Sequence, residues 1–367
     1  MSDTWISFNG NALSLNGYGL VVSGQNPYNP LNLPAYTVRF QFDDSSYDPT
    51  QVSGWKAGSA WTRVSTSPNI WDYYAGTASE HYQGAFSGKF QDTLNTVHVL
   101  GAYLPGEIPA AYDGASLFEN CTALVETATV DISGCRTANR MFSGCTNLVS
   151  VGTINAPQIY DTLYMFGDCA RLTTAPVIEY TPTLLTRSVQ MFKNCSSLHD
   201  LSPYRYDTSN VTDFSGMFYG CSSLTTTPIL DTSNGLTFSS MYGKCSTLGT
   251  SYLYDLSKAT DISGMFYECR ALSSVPLFNT RLVNNFSNML TSCESLREIQ
   301  LFPTANATNM SGMCAYCYNV ESGALALYTQ ASTQSFPPAS HSGCFSSCGV
   351  STTSGRAELA QIPSDWK

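Results

Sequence analysis

A short phrase that returns at a nearly constant interval constrains this chain more than any other feature. The phrase is Met-Phe-x-x-Cys-x-x-Leu, and it is most complete at residues 217–224. Its cysteine recurs at intervals of 24, 24, 26, 26, 24, 24, 24, 24 and 31 residues. The positions are Cys121, Cys145, Cys169, Cys195, Cys221, Cys245, Cys269, Cys293, Cys317 and, in degenerate form, Cys348. A period of this size is typical of solenoids, in which each unit packs only on its neighbours.

Each repeat divides into a strand part and a turn part. After the cysteine comes Leu-x-x-φ-x-φ, where φ is apolar, as at Leu272 and Leu296. This pattern predicts a short strand with inward side chains at positions 0, +3 and +5 from the leucine. A threonine four or five residues before the methionine, such as Thr260, is expected to cap a short helical turn. Asn, Asp or Gly before the cysteine, as at Gly220, predicts a left-handed end to that turn.

The fold class we predict is an α/β-type leucine-rich-repeat solenoid of about ten turns, each with a short strand and a short helical turn. Residues 1–100 lack the period and are predicted to form a β-rich N-terminal attachment or cap segment, because an open solenoid end must be covered. Residues 101–350 are predicted to form the solenoid and 351–367 a C-terminal tail or cap.

Within the first 100 residues, several short patterns predict strands. Asn9-Gly10 and Asn16-Gly17 are hairpin-turn signals, and residues 36–42 alternate with a period of two. Trp55, Trp61 and Trp71 could form a carbohydrate platform, but we favour packing in the core or cap.

Thirteen cysteines in a short secreted protein would suggest disulfides, but ten of these occupy one repeat position. We therefore expect a structural column of buried free thiols, because each thiol has two equivalent neighbours and no obvious partner. Four cysteines near the end have a spacing close to that of zinc sites, which leaves zinc or a local disulfide as the alternative. They are Cys314, Cys317, Cys344 and Cys348.

Charge and composition restrict the classes of partner. The net charge of −10 and a pI near 4.7 argue against nucleic acid, since no basic cluster is present to replace phosphate counterions. Charged residues make up only 12% of the chain, and its polar surface of Ser, Thr, Asn and Tyr suits an extracellular or virion protein. No apolar run predicts membrane insertion and no secretory signal pattern opens the sequence. The sequence predicts no cofactor.

The strand positions +4 and +6 are predicted to face outward and to align into an apolar and aromatic stripe. The stripe would be an interface with a receptor, a glycan or another copy of the chain, unless it is covered or turned inward. Its proposed binding residues are Tyr206, Tyr252, Tyr254, Phe278 and Phe302.

Residues 207–224, Asp-Thr-Ser-Asn-Val-Thr-Asp-Phe-Ser-Gly-Met-Phe-Tyr-Gly-Cys-Ser-Ser-Leu, closely resemble the BspA-like leucine-rich repeats. The resemblance extends over roughly residues 115–350. Proteins of this family occur on bacterial and protist surfaces and in some bacteriophages, and the resemblance implies adhesion to host or matrix proteins without catalytic residues.

We therefore predict a non-enzymatic binding or structural protein. The leading hypothesis is a component of a bacteriophage virion surface, a tail-fibre, receptor-binding or capsid-decorating protein. Its partners would be a protein or glycan on the host-cell surface and other virion proteins, with homo-oligomers possible. The alternatives are a bacterial cell-surface or secreted adhesin and, from another class, a glycan-degrading enzyme.

Overall fold

The structure is a computed structural model. It describes residues 5–8, 11–16, 19–22, 31–35, 37–51, 60–74, 86–90, 97–103, 114–181, 183–201 and 207–367. The first strands are β1 (Trp5–Phe8), β2 (Asn11–Asn16) and β3 (Gly19–Val22), which pair antiparallel in the order β1-β2-β3. The two predicted hairpins are thereby confirmed.

A second sheet joins the N-terminal part of the chain to the repeats. Its antiparallel part has the order β5-β6-β4-β7. These strands are β4 (Thr37–Phe42), β5 (Ala60–Thr66), β6 (Asn69–Tyr74) and β7 (Val97–Tyr103). On its other side β7 pairs in parallel with β8 (Leu124–Thr127) and β9 (Val130–Asp131) of the first repeat. Strand β7 therefore belongs to both parts and crosses the predicted boundary at residue 100.

Aromatic side chains fill the core of this N-terminal sheet. Phe40 and Tyr73 are fully buried, and the Trp61 ring lies 5.5 Å from Phe40 and 5.0 Å from Tyr73. Trp71 is 7% exposed, and its indole N–H donates to Asn69 Oδ1 at 2.8 Å. Packing thus accounts for both tryptophans, whereas Trp55 lies outside the described residues.

The chain has the predicted repeat fold, and successive repeats pair in parallel. Strand β10 (Ser150–Val151) pairs with β8, while β11 (Ile154–Asn155) lies between β9 and β12 (Ile178–Glu179). In later repeats the strand part is reduced to single bridges such as Thr226 to Thr250. The predicted strand is therefore shorter than the apolar pattern suggests.

The turn part is a series of tight turns, so the predicted short helix is wrong. In one repeat the Cys221 amide donates to Phe218 O at 3.1 Å, and both Gly216 and Gly220 have positive φ. Left-handed geometry every fourth residue interrupts a helix. The left-handed residue predicted where Asn, Asp or Gly precedes the cysteine is confirmed at all five such repeats, and the other five repeats share this geometry.

Aspartate or asparagine, and not the predicted threonine, supports these turns. Asp261 Oδ1 accepts the Ser263 amide at 2.8 Å. The hydroxyl of Thr260 instead donates to Leu236 O of the preceding repeat at 3.2 Å. The threonine therefore links adjacent repeats, and the next residue caps the turn.

Two files of side chains run through the interior. All ten repeat cysteines are free and at most 1% exposed. The thiol of Cys221 donates to Phe192 O at 3.1 Å, and the same contact recurs at 3.0–3.2 Å from Cys121 to Cys317. Beside them lies the phenylalanine file, whose rings stack 5.2–5.8 Å apart. Its members are Phe86, Phe118, Phe142, Phe166, Phe192, Phe218, Tyr242 and Phe266.

The C-terminal residues cover the last repeats. Helices α1 (Ala324–Thr333) and α2 (Thr353–Leu359) pack together, and Glu358 accepts the Leu325 amide at 3.0 Å at the start of α1. The Trp366 ring is 5% exposed and lies 6.3 Å from Phe345. Among the described residues, no helix is both long and apolar enough to span a bilayer.

Candidate binding surface

The strand part of each repeat decides which side chains reach the surface. Inward positions are 0, +3 and +6 from the repeat leucine, as at Leu272, Val275 and Phe278. Proline stands at +4 in three repeats, including Pro228 and Pro276. Because proline has no amide hydrogen to donate, it interrupts a strand ladder, and the two-residue alternation does not continue beyond it.

The predicted aromatic stripe is therefore wrong for three of its five residues. Tyr254, Phe278 and Phe302 are 3%, 0% and 0% exposed, and they pack in the core beside the phenylalanine file. The Tyr254 hydroxyl lies 2.6 Å from both Tyr242 Oη and Pro228 O, so its polar group is satisfied inside the core. Tyr252 is 49% exposed. Tyr206 lies outside the described residues.

The position that is exposed in every one of these repeats is +5, which lies between the predicted outward positions +4 and +6. Four consecutive repeats carry an aliphatic side chain there, and we call this set the aliphatic row. It consists of Ile229, Leu253, Leu277 and Leu301, which are 74%, 68%, 55% and 50% exposed. With repeats about 4.8 Å apart, the row extends over roughly 15 Å.

A groove lies at the N-terminal end of this row, with a volume of about 420 Å³. We call it the threonine groove. Its lining includes His199, Asp200, Thr226, Thr227, Pro228, Ile229 and Tyr252. The Tyr252 amide donates to Thr227 Oγ1 at 2.9 Å, which holds the tyrosine backbone against the neighbouring repeat.

Carboxylates follow the row two residues further along the strand part. Asp231 Oδ1 accepts the Ser233 amide at 3.0 Å, and Asp255 Oδ1 accepts the Ser257 amide at 2.9 Å. Hydrogen bonds from Ser233 and Ser257 lower the pKa of Asp231 and of Asp255 below the ordinary aspartate value. Both groups are therefore ionised at neutral pH and give this edge negative charge.

A second surface feature lies on the turn part of the repeats, where tyrosines alternate with cations. Lys193 Nζ is 5.7 Å from the ring centres of Tyr164 and Tyr219, and Lys244 Nζ is 5.7 Å from that of Tyr219. The cations already lie over these ring faces, so the arrangement joins adjacent repeats and leaves little face for a ligand.

The four cysteines with zinc-like spacing are core residues of the last repeats. All four are buried, and the Cys317 thiol donates to Leu290 O at 3.0 Å. Cys344 takes the repeat position of methionine and Cys314 that of phenylalanine. Across the described ranges, no three His, Cys, Asp or Glu side chains are arranged to hold a metal ion. Packing explains Cys314, Cys317, Cys344 and Cys348 instead.

Comparison with known proteins adds a family. Residues 113–229, 204–297 and 236–334 match a family model described as "Mycoplasma protein of unknown function, DUF285", a family of BspA-like repeats. No curated protein matches the sequence.

Two solved structures of leucine-rich repeat proteins are similar. One, from Eubacterium ventriosum, is 11% identical with a TM-score of 0.35, and the match covers 71% of this chain and 94% of that one. The other, from Bacteroides ovatus, is 14% identical with a TM-score of 0.30, covering 73% and 75%.

Proposed function

Because the chain belongs to the DUF285 family of BspA-like repeats, we propose that it is a non-enzymatic binding protein whose aliphatic row docks a protein partner. The observation that carries this proposal is the exposure of four aliphatic side chains at one position of four consecutive repeats. Contiguous apolar surface of this kind marks interfaces, whereas single exposed leucines are ordinary. Covering each of these side chains, which are 50–74% exposed, would contribute roughly 1–2 kcal/mol.

The edge of the row supports selectivity for its partner. Asp231 and Asp255 lie beside Ile229 and Leu253 in sequence and are ionised, so they would repel an acidic partner. A complementary surface would therefore combine an apolar ridge with basic side chains along one side. The net charge of −10 supports the exclusion of nucleic acid.

We place this activity on a virion surface, where the partner is a protein of the host-cell surface, with a bacterial cell surface as the alternative. The thirteen free thiols support the first location, because a virion protein folds in a reducing cytoplasm before release. The low share of charged residues, 12%, supports either exposed location. Labelling intact particles and cells with an antibody against the chain would distinguish the two.

The docking proposal is tested by comparing two double variants for binding to the host-cell surface. In the first, Leu253→Ser and Leu277→Ser remove the centre of the aliphatic row. In the second, Leu236→Ser and Leu282→Ser remove leucines that are 46% and 52% exposed but lie outside the row.

We expect the row variant to lose binding at least tenfold and the matched control to bind like the unmodified chain. Equal binding by both would refute the proposal. Light scattering on the same proteins would show whether the partner is a second copy, since only the row variant would then change its oligomeric state.

A further inference from the structure

We infer that the threonine groove binds one uncharged sugar residue. The inference deepens the proposed recognition role and rests on it, because Ile229 lines the groove and also begins the aliphatic row. The row would supply apolar area, and the groove would recognise a defined chemical unit on the same partner surface.

The groove has the size of a small-ligand site. Its volume of about 420 Å³ falls in the lower part of the range of roughly 300–1,000 Å³ that such sites occupy. It is open to solvent along the repeat surface, since Thr226 and Tyr252 are both exposed. A single sugar ring can therefore enter while the rest of a glycan stays outside.

The lining provides both surfaces that a sugar requires. The Tyr252 ring, 49% exposed, gives a flat apolar face for the C–H side of a pyranose, and Pro228 and Ile229 extend this apolar wall. Flat aromatic faces with a polar edge suit ligands that are apolar on one side and hydroxylated on the other.

Three hydrogen-bonding groups of the lining are available for sugar hydroxyls. His199 Nδ1 lies 2.9 Å from Ser197 O, which can only accept, so Nδ1 carries a hydrogen and, in the neutral ring, Nε2 is an acceptor. Within the described residues, no partner satisfies His199 Nε2, the Thr226 hydroxyl or the Tyr252 hydroxyl. Thr227 differs, because its hydroxyl already accepts the Tyr252 amide.

The charge of the lining favours a neutral sugar over an acidic one. Among the described residues that line the groove, none is Lys or Arg, and Asp200 is acidic. These described lining residues therefore offer no cationic side chain to the carboxylate of a sialic acid or to the phosphate of a phosphorylated sugar.

Saturation-transfer NMR on the full chain with the methyl glycosides of glucose, galactose, mannose and N-acetylglucosamine tests this inference. At least one glycoside should receive saturation, and Thr226→Val and Tyr252→Ala should each weaken its binding by about tenfold, through a lost hydrogen bond and a lost apolar face. Leu301→Ser, at the far end of the row, is the matched control and should leave the signal unchanged.

The inference is overturned if none of these glycosides receives saturation, or if transfer is undiminished in the double variant with Thr226→Val and Tyr252→Ala. The Leu253→Ser and Leu277→Ser variant separates the two proposals. It should keep glycoside binding while losing the protein partner, so a failure of the groove and a failure of the row give different results.

Discussion

Leu277 and Phe278 are adjacent in sequence, yet one lies 55% exposed on the surface and the other is fully buried. The Phe278 ring centre is 6.3 Å from that of Phe266 and 6.2 Å from that of Phe302. Phe278→Ala should therefore cost about 3–5 kcal/mol for the lost burial and the cavity. Slightly less than half of the Leu277 surface is covered, so Leu277→Ala should cost only about 1 kcal/mol.

Urea unfolding followed by circular dichroism measures both changes. Repeat proteins can unfold from one end, which complicates a comparison between distant sites. Both substitutions lie in the same repeat, however, so partial unfolding would affect the two variants alike. A Leu277→Ala variant that loses as much stability as Phe278→Ala, or a Phe278→Ala variant that loses less than about 1 kcal/mol, would show that the inward and outward positions have been assigned wrongly.

Two further predictions concern the thiols and the C-terminal residues. Burial raises the pKa of Cys121 and of Cys317 to about 12 from an ordinary 9.0. The folded state therefore keeps protons that the unfolded chain releases, so stability is full below about pH 9 and falls as the pH rises toward 12. The urea midpoint should decrease steadily between these pH values, and a constant midpoint would contradict thiol burial. Glu358→Ala removes the acceptor of the Leu325 amide and should lower stability by about 1 kcal/mol, with faster proteolysis within α1. Exposed Glu298 is the control, and Glu298→Ala should leave both properties unchanged.

The sequence predicted those features that depend on local chemistry repeated many times. Residues such as Asn194 and Gly220 tolerate positive φ, so a left-handed residue before the cysteine could be predicted from them. The same positive φ is found even at Lys244 and Glu268. There the repeated backbone overrides the residue's own preference. The antiparallel pairing of the strands on either side of the two Asn-Gly signals near the N-terminus was equally readable, because such dipeptides favour hairpins.

The orientation of the strand part could not be read from a two-residue alternation. That rule holds along a paired strand, but in the later repeats, which contain the row, pairing is reduced to single bridges such as Thr226 to Thr250. Beyond the bridge the inward residues are three apart. Proline at +4, as in Pro228 and Pro276, was the available signal that the ladder stops. The prediction therefore placed the aromatic side chains at +6 on the surface, although they are buried, and missed the exposed aliphatic side chains at +5.

The exposure of aliphatic side chains in place of aromatic ones changes what the surface can recognise. Phe278 and Phe302 stack 6.2 Å apart in the core, and Tyr254 is buried as well, while the residue before each of them, Leu253, Leu277 or Leu301, is exposed in the row. Aliphatic side chains at a fixed spacing provide affinity but few directional contacts, so selectivity has to come from groups beside the row. Those groups are the ionised carboxylates along one edge and the hydrogen-bonding lining of the threonine groove at one end. A partner that engages only the row should therefore bind weakly and without discrimination, and a specific one should lose affinity when either flank is altered.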